Sequence, residues 1–519
     1  MLQKKWCILI PTYLLCFLPF SCAPYADPPR PDNVIQSDLG VPPKIDGKEL
    51  GQDAQATGPL NLTVEEALLL ALENNQSLSV ERLSPMIQGT FEQEARAAYD
   101  PVLAATAAPF VVRAPDENGE FRTTKSYAAA ASLTQPLPTG TTVAAEVSNA
   151  RFPNNFIDDR YQTRLGVNIN QALLQGAGLE VNLATIRQAR LDTRISEYEL
   201  RGFTEALVQE IEDTCWDYAL ALRTIEIVTN ALELARQQLA ETNERIRVGD
   251  LARIESAAAE AELARRQENL INARSRLETT RLALLRLLNP GGESFWDREI
   301  NLRSIPAVPE IKLDDVETYV AVGLKMRPEM SQARLQIDRD ELELVKTRNG
   351  LLPRLDLFIT LGKSGYAESF GESFANLSAD GYDAQAGLRL EYPVFNRGPR
   401  ARQQRATYTR DQDERAVANL AQLVQVDVRA AYIEVRRTRE QITATAATRQ
   451  FQQEVLRAEM EKSRVGKSTS FLVAQAQRDL LASQIAEVEA VVNHLKSLTR
   501  LQRLSGSLLA RRGIAAPGN

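Results

Sequence analysis

The chain has 519 residues, of which 25% are charged, 44% hydrophobic and only 6% aromatic, with a formal net charge of −7. That balance lacks the basic footprint of a general nucleic-acid binder, and the scarcity of rings suits helix packing through Ala, Leu and Val better than a large β core. Four cysteines (Cys7, Cys16, Cys22 and Cys215) and one histidine, His494, exclude a His/Cys metal cluster by count.

The N-terminus reads as an export signal. Lys4 and Lys5 form a charged start, and Trp6 to Phe20 is an apolar run of 15 residues, too short for a comfortable membrane span. The following Leu18-Pro19-Phe20-Ser21-Cys22 resembles the bacterial lipoprotein signal. Ser21 fits that pattern and Pro19 departs from it. Residues 1–22 are therefore read as a signal region with Cys22 as the lipidation site, where each buried CH₂ of an acyl chain would add about 0.8 kcal/mol of anchoring. Residues 23–60, rich in Pro, Asp and Gly, read as an extended tether. No apolar run of 18 residues appears later, so a membrane could be crossed only by strands closed into a barrel.

A helix is predicted from Leu62-Thr63, with Thr63 as N-cap and Glu65 and Glu66 in its first turn, running to about Tyr99 and stopped by Pro101. The period then changes. Val143, Ala145 and Val147 alternate with Ala144, Glu146 and Ser148, and Leu165, Val167 and Ile169 with Arg164, Gly166, Asn168 and Asn170. Helical period resumes near Leu179 and continues to Val248, where Gly249-Asp250 interrupts it. Another helix covers about 252–288 and stops at Asn289-Pro290. The order then repeats: helix over 315–350, strands over 354–362 and 382–394, long helix over 400–465, break at Gly466, last helix over 469–505.

Constant offsets show that this is a duplication. Pro101 pairs with Pro353 at 252 residues, Trp216 with Tyr432 at 216, and Arg247-Val248-Gly249 with Arg464-Val465-Gly466 at 217. The drop of 35 residues (252 − 217) falls within the β segment, so the first copy carries about one additional hairpin. The units are a first repeat over 61–290, an equatorial linker over 291–314, a second repeat over 315–506 and a tail over 507–519. A helix over 179–248 would be about 105 Å long, close to the two shorter helices of its copy laid end to end.

In the last strand Tyr382, Ala384, Ala386, Leu388, Leu390 and Tyr392 point one way, and Asp383, Gln385, Gly387, Arg389 and Glu391 the other. This is apolar-out, polar-in patterning, with Tyr382 and Tyr392 placed as membrane-interface aromatics. Four to six strands cannot enclose a lumen, so several chains must share one barrel.

Here the chain resembles the TolC-like outer-membrane efflux protein family (outer membrane factors), over about residues 60–506. The resemblance rests on Leu-Thr-Val-Glu-Glu-Ala at 62–67, Gln-Ala-Leu-Leu-Gln-Gly at 171–176, Tyr-Pro-Val-Phe-Asn-Arg-Gly at 392–398 and the two Arg-Val-Gly breaks. It implies a mainly α fold with β: a homotrimer whose chains each give two hairpins to a twelve-stranded transmembrane barrel, continued by a long α-helical periplasmic tunnel. It also implies docking of a periplasmic membrane-fusion adaptor at the tips, Val248-Gly249-Asp250-Leu251 and Val465-Gly466-Lys467-Ser468. A periplasmic constriction falls at Phe471, Leu472, Gln475 and Asp479 with Ile254 and Glu255. Some relatives carry acidic residues there; Leu472 and Gln475 suggest instead a hydrophobic gate that works by dewetting.

The expected function is a passive exit duct through the outer membrane of a Gram-negative-type bacterium, serving a tripartite efflux pump or type I secretion. It would be coupled to an inner-membrane transporter only indirectly and would contact outer-membrane lipid. The alternative is an exported coiled-coil envelope scaffold that forms no channel. No Gly-x-Ser-x-Gly, phosphate loop or metal spacing points to an enzyme, and no cofactor or nucleic-acid partner is expected. His494 reads as a surface or packing residue and Cys215, beside Trp216, as buried.

Overall fold

The computed structural model describes residues 58–115, 119–154, 157–290, 295–309, 312–378 and 380–515. The signal region with Cys22, and nearly all of the tether, lie outside these.

The fold begins with β1 (Leu60–Leu62) and α1 (Val64–Asn74). Thr63 caps α1 by accepting from the Glu66 amide at 3.2 Å, while the Glu66 carboxylate accepts from the Thr63 amide at 2.7 Å, a reciprocal capping box. The single helix predicted over 62–99 is instead three: α1, α2 (Gln76–Glu81) and α3 (Leu83–Ala97). Asn75 leaves helical geometry at φ −64, ψ 121, caps the Leu78 amide and donates its side-chain amide to the Leu287 carbonyl at 3.0 Å. The second copy breaks at the equivalent place. Arg327 has φ −63, ψ 127 between α7 (Val316–Met326) and α8 (Pro328–Asn349). The residue before a proline is steered out of the α region, and Pro328 then fits the first helical turn.

The sheet carries the expected extra hairpin. Copy one supplies four strands: β2 (Val102–Pro115), β3 (Phe121–Pro136), β4 (Thr141–Asn154) and β5 (Ile157–Ala172). The linker supplies β6 (Ile300–Leu302), parallel to β1. Copy two supplies β7 (Arg354–Ala367) and β8 (Tyr382–Glu391), joined over α9 (Phe370–Ala375). Six strands form one antiparallel sheet in the order β2-β3-β4-β5-β7-β8, open at both ends.

A short turn, α4 (Leu179–Asn182), leads into α5 (Ala184–Arg247). Then come α6 (Ile254–Leu288), α10 (Arg397–Arg464), α11 (Ser470–Leu504) and α12 (Leu508–Arg511). The long helices have 64 and 68 residues, about 96 and 102 Å. Helices α3, α5, α8 and α10 lie abreast on the sheet side, and α6, α5, α11 and α10 abreast on the tip side. The two levels are therefore four helices wide throughout.

Two cores mark the waist where these levels meet. One joins α1, α5, α6 and α12 through Leu68, Ile211, Leu285, Leu288 and Leu508; the other joins α7, α10 and α11 through Tyr319, Val424, Val428 and Leu501. The segment predicted as a tail is thus partly a packing element, since Leu508 and Leu509 are buried. Cys215 is buried in the first core, and burial pushes its thiol up to about 12. His494 is a packing residue: it is buried, its Nδ1 lies 3.0 Å from the Thr438 hydroxyl, and burial lowers its pKa.

Candidate functional site: the sheet faces and the helical tips

Cross-strand partners put side chains of one kind on one face. Leu103, Leu133, Ala145, Val167, Leu361 and Ala384 stand opposite one another in turn across all six strands. A second row, Val143, Ile169, Ile359 and Ala386, continues the same apolar face. On the reverse face Arg164 reaches across β7 to Asp383, with nitrogen–oxygen distances of 2.6 and 3.1 Å. Gly362 makes room for this pair, because a Cβ there would meet the Asp383 carboxylate and the Arg164 guanidinium. Arg354 and Asp356 pair nearby at 2.9 Å.

Tyr382 and Tyr392 lie on the apolar side at either end of β8, 82% and 44% exposed. Ten residues of strand at about 3.4 Å each, tilted by about 36°, rise about 27 Å, close to the height of a membrane-spanning apolar band. Two further aromatics escaped the sequence reading. Tyr127 and Tyr161 stack at 5.8 Å, with the Arg151 guanidinium 5.9 Å above the Tyr161 ring. Their signal was present: each sits two-residue steps from an apolar run, at Ala129-Ala131-Leu133 and Leu165-Val167-Ile169.

At the other end, both long helices stop in the same way. Gly249 and Gly466 have φ of +84° and +72°, a region where glycine alone is unstrained. The Gly249 amide donates to Ile246 and the Asp250 amide to Arg245; the Gly466 amide donates to Ser463 and the Lys467 amide to Lys462. This pattern satisfies the last carbonyls of each helix. The two tips differ in charge. Arg245 pairs with Asp250 at 2.8 Å in the first. In the second, Glu459 takes Lys462 at 2.5 Å and the Ser468 hydroxyl at 2.6 Å, and both hold its carboxyl below the usual range. Val248 and Val465 stand equally exposed, at 66%.

The residues expected at the constriction are only partly brought together. Ser470 donates to Glu255 at 2.7 Å, joining the two repeats just inside the tips. Phe471 lies under the Arg478 guanidinium at 5.9 Å, and Arg478 also binds Glu262 at 3.2 Å. Leu472, Gln475 and Asp479, spaced along one face of α11, are exposed, as is Ile254. Among the described residues no group of His, Cys, Asp and Glu could hold a metal ion, and no helix is long and apolar enough to cross a membrane.

An amphipathic sheet continued by a duplicated wall of long helices defines a class, the outer-membrane channels of TolC type. The comparisons agree. Residues 323–507 match the family described as outer membrane efflux protein. The outer membrane efflux protein BepC of Brucella suis is 23% identical over 387 residues, covering 73% of this chain and 77% of its own. The alkaline protease secretion protein AprF of Pseudomonas aeruginosa is 24% identical, covering 42% of this chain and 47% of its own. The crystal structure of the Campylobacter jejuni CmeC outer membrane channel superposes with a TM-score of 0.65 at 15% identity, covering 91% of this chain and 94% of that one. The chain belongs to the TolC-like outer-membrane efflux protein family, a family of ducts rather than of enzymes, and functions as an outer-membrane exit duct.

Proposed function

We propose that three copies of this chain assemble into a barrel in the outer membrane, continued by a tunnel of helices in the periplasm. The observation that carries this reading is the apolar face running in cross-strand order over all six strands, backed by a face of charged and polar groups. In lipid, a sheet must close, because open edges leave amides and carbonyls without partners. Six strands are too few to close around a lumen, and neighbouring copies supply the rest.

The tips receive a periplasmic adaptor. Val248 and Val465 offer apolar contact on rigid, glycine-capped turns, and the charge difference between the tips gives an adaptor two related but distinct seats. Energy comes from an inner-membrane transporter, and the duct itself is passive. Phe471, Leu472 and Ile254 narrow the mouth as an apolar ring, whose closure excludes water and ions by dewetting. BepC is named for efflux and AprF for protease secretion; a passive duct of this build serves either cargo in the same way.

Cysteines placed at Val248 and Val465 test the docking. In cells they are expected to cross-link to a periplasmic adaptor with a short bifunctional reagent. Failure at both tips with every adaptor would remove the pump and secretion readings while leaving the pore itself to be tested separately. Cys22→Ser is expected to abolish incorporation of labelled palmitate; unchanged labelling would refute lipidation at that residue.

A further inference from the structure

The resemblance implies two hairpins per chain, and this chain has three in one continuous sheet. We propose that three copies close an eighteen-stranded barrel, in which β2 of one copy pairs antiparallel with β8 of the next. This rests on the trimeric duct proposed above.

Four features of the sheet carry it. First, β2 and β3 belong to the lipid face: Leu103, Ala105 and Ala107 oppose Leu133, Ala131 and Ala129, in line with the apolar residues of β4. The extra hairpin is therefore built for lipid rather than for the aqueous loops. Second, the strand number per chain is even. β2 leaves the helical end and β8 returns to it, so the two open edges run in opposite directions and pair without a crossover. Pro109 withholds one donor from that ladder, and the other residues of β2 keep theirs.

Third, the stagger fits. Following partners across the sheet, Val102 leads to Thr134, Ala144, Asn168, Thr360 and Gln385. The helical end of β8 is Glu391, six residues further on (391 − 385). When Val102 of one copy lies beside Glu391 of its neighbour, each copy contributes a shift of six, and three copies give 18 over 18 strands. A barrel whose shear equals its strand number has a tilt of about 36°, inside the range of membrane barrels.

Fourth, the widths agree. Four helices abreast at about 9–10 Å take about 36–40 Å of wall. Six strands at about 4.8 Å, tilted by about 36°, take about 36 Å, whereas four would take about 24 Å. Six strands per copy let barrel and tunnel meet at equal girth. Since diameter grows roughly linearly with strand number, the barrel is about half as wide again as one of twelve strands.

The register names its own test. Ala105 of β2 and Leu388 of β8 face lipid and become neighbours between copies. In the full-length protein, Ala105→Cys with Leu388→Cys, or Ala107→Cys with Leu388→Cys to allow a two-residue slip, is expected to give oxidation-dependent dimer and trimer bands on a denaturing gel. The single variants are expected to give none, since Cys215 is buried with its thiol pushed up to about 12. Ala145→Cys on β4 with Leu388→Cys is the control for a barrel that leaves β2 and β3 out. Cross-linking through Ala145 alone would overturn the eighteen-stranded closure and leave the duct standing. A conducting trimer that cross-links at none of these pairs would overturn it too. Monomers that do not conduct would sink the duct reading itself, and this proposal with it.

Discussion

The two repeats share a backbone and differ in what they bury. Along α5 of the first copy, Arg201, Glu205 and Glu212 are buried. At the offset of 216 residues, α10 of the second copy has Val417, Ala421 and Val428. Glu205 pairs with Arg201 at 3.4 Å. Glu212 receives the Arg512 guanidinium at 2.5 and 2.8 Å and the Thr499 hydroxyl at 2.6 Å. The second copy fills the same places with aliphatic packing. The waist can therefore be built either way. The polar solution ties the C-terminal helix α12 to the first repeat, which plain apolar packing would do with less directional specificity.

The largest effect expected from this contrast is at Arg512. Arg512→Ala leaves Glu212 buried without its cation and should cost about 3–5 kcal/mol of stability by denaturant titration. Glu212→Val with Arg512→Met, which copies the second repeat's solution, should recover most of that loss. If the double variant is no better than Arg512→Ala, the two waists are not interchangeable.

The helix ends rank next. Gly506, at φ +65°, is the counterpart of Asn289, at φ +40°, 217 residues earlier. A Cβ at Gly506 would come within 2.8–2.9 Å of the Met326 and Arg327 backbone, whereas at Gly466 it would meet open space. Gly506→Ala should therefore cost about 2 kcal/mol or more, through strain and overpacking together, and Gly466→Ala about 1 kcal/mol from strain alone. Equal losses in paired melting curves would contradict the contact at Arg327.

A smaller effect, read through pH, belongs to the first copy alone. Burial lifts Glu205 to about 7, partly offset by Arg201 and Arg503 and reinforced by Glu329. The folded chain thus holds a proton between the carboxyl's usual 4.5 and about 7 that the unfolded chain releases. Stability should fall as pH rises through that window and level off above it. Glu205→Gln should flatten the fall; the same slope in the variant would show that another group causes it. Smallest of all, Arg245→Ala at the exposed first tip should change stability by less than about 1 kcal/mol.

Much of this was legible in the sequence. The duplication, the two long helices, the glycine breaks, the capping box at Thr63 and the additional hairpin follow from period and offset, because each depends on local chemistry repeated at fixed spacing. The breaks at Asn75 and Arg327 were not foreseen, although Pro328 signalled one and the offset of 252 would have carried it to the other. The buried Glu212 was also hidden. Its partners lie 287 and 300 residues away, on elements that only the packed waist brings to it. The constriction was legible as positions but not as a ring, because Leu472, Gln475 and Asp479 face away from their own chain's packing and await neighbours.

The central claim is that copies of this chain form a duct through the outer membrane. Planar-bilayer recording of the full-length protein, purified from outer membranes as a heat-modifiable trimer, tests it most directly. The expected result is discrete conductance steps, enlarged by substitutions that shorten the apolar residues at Phe471 and Leu472. Absence of conductance, together with complete release of the protein from membranes by high salt, would contradict the account and point to an envelope scaffold.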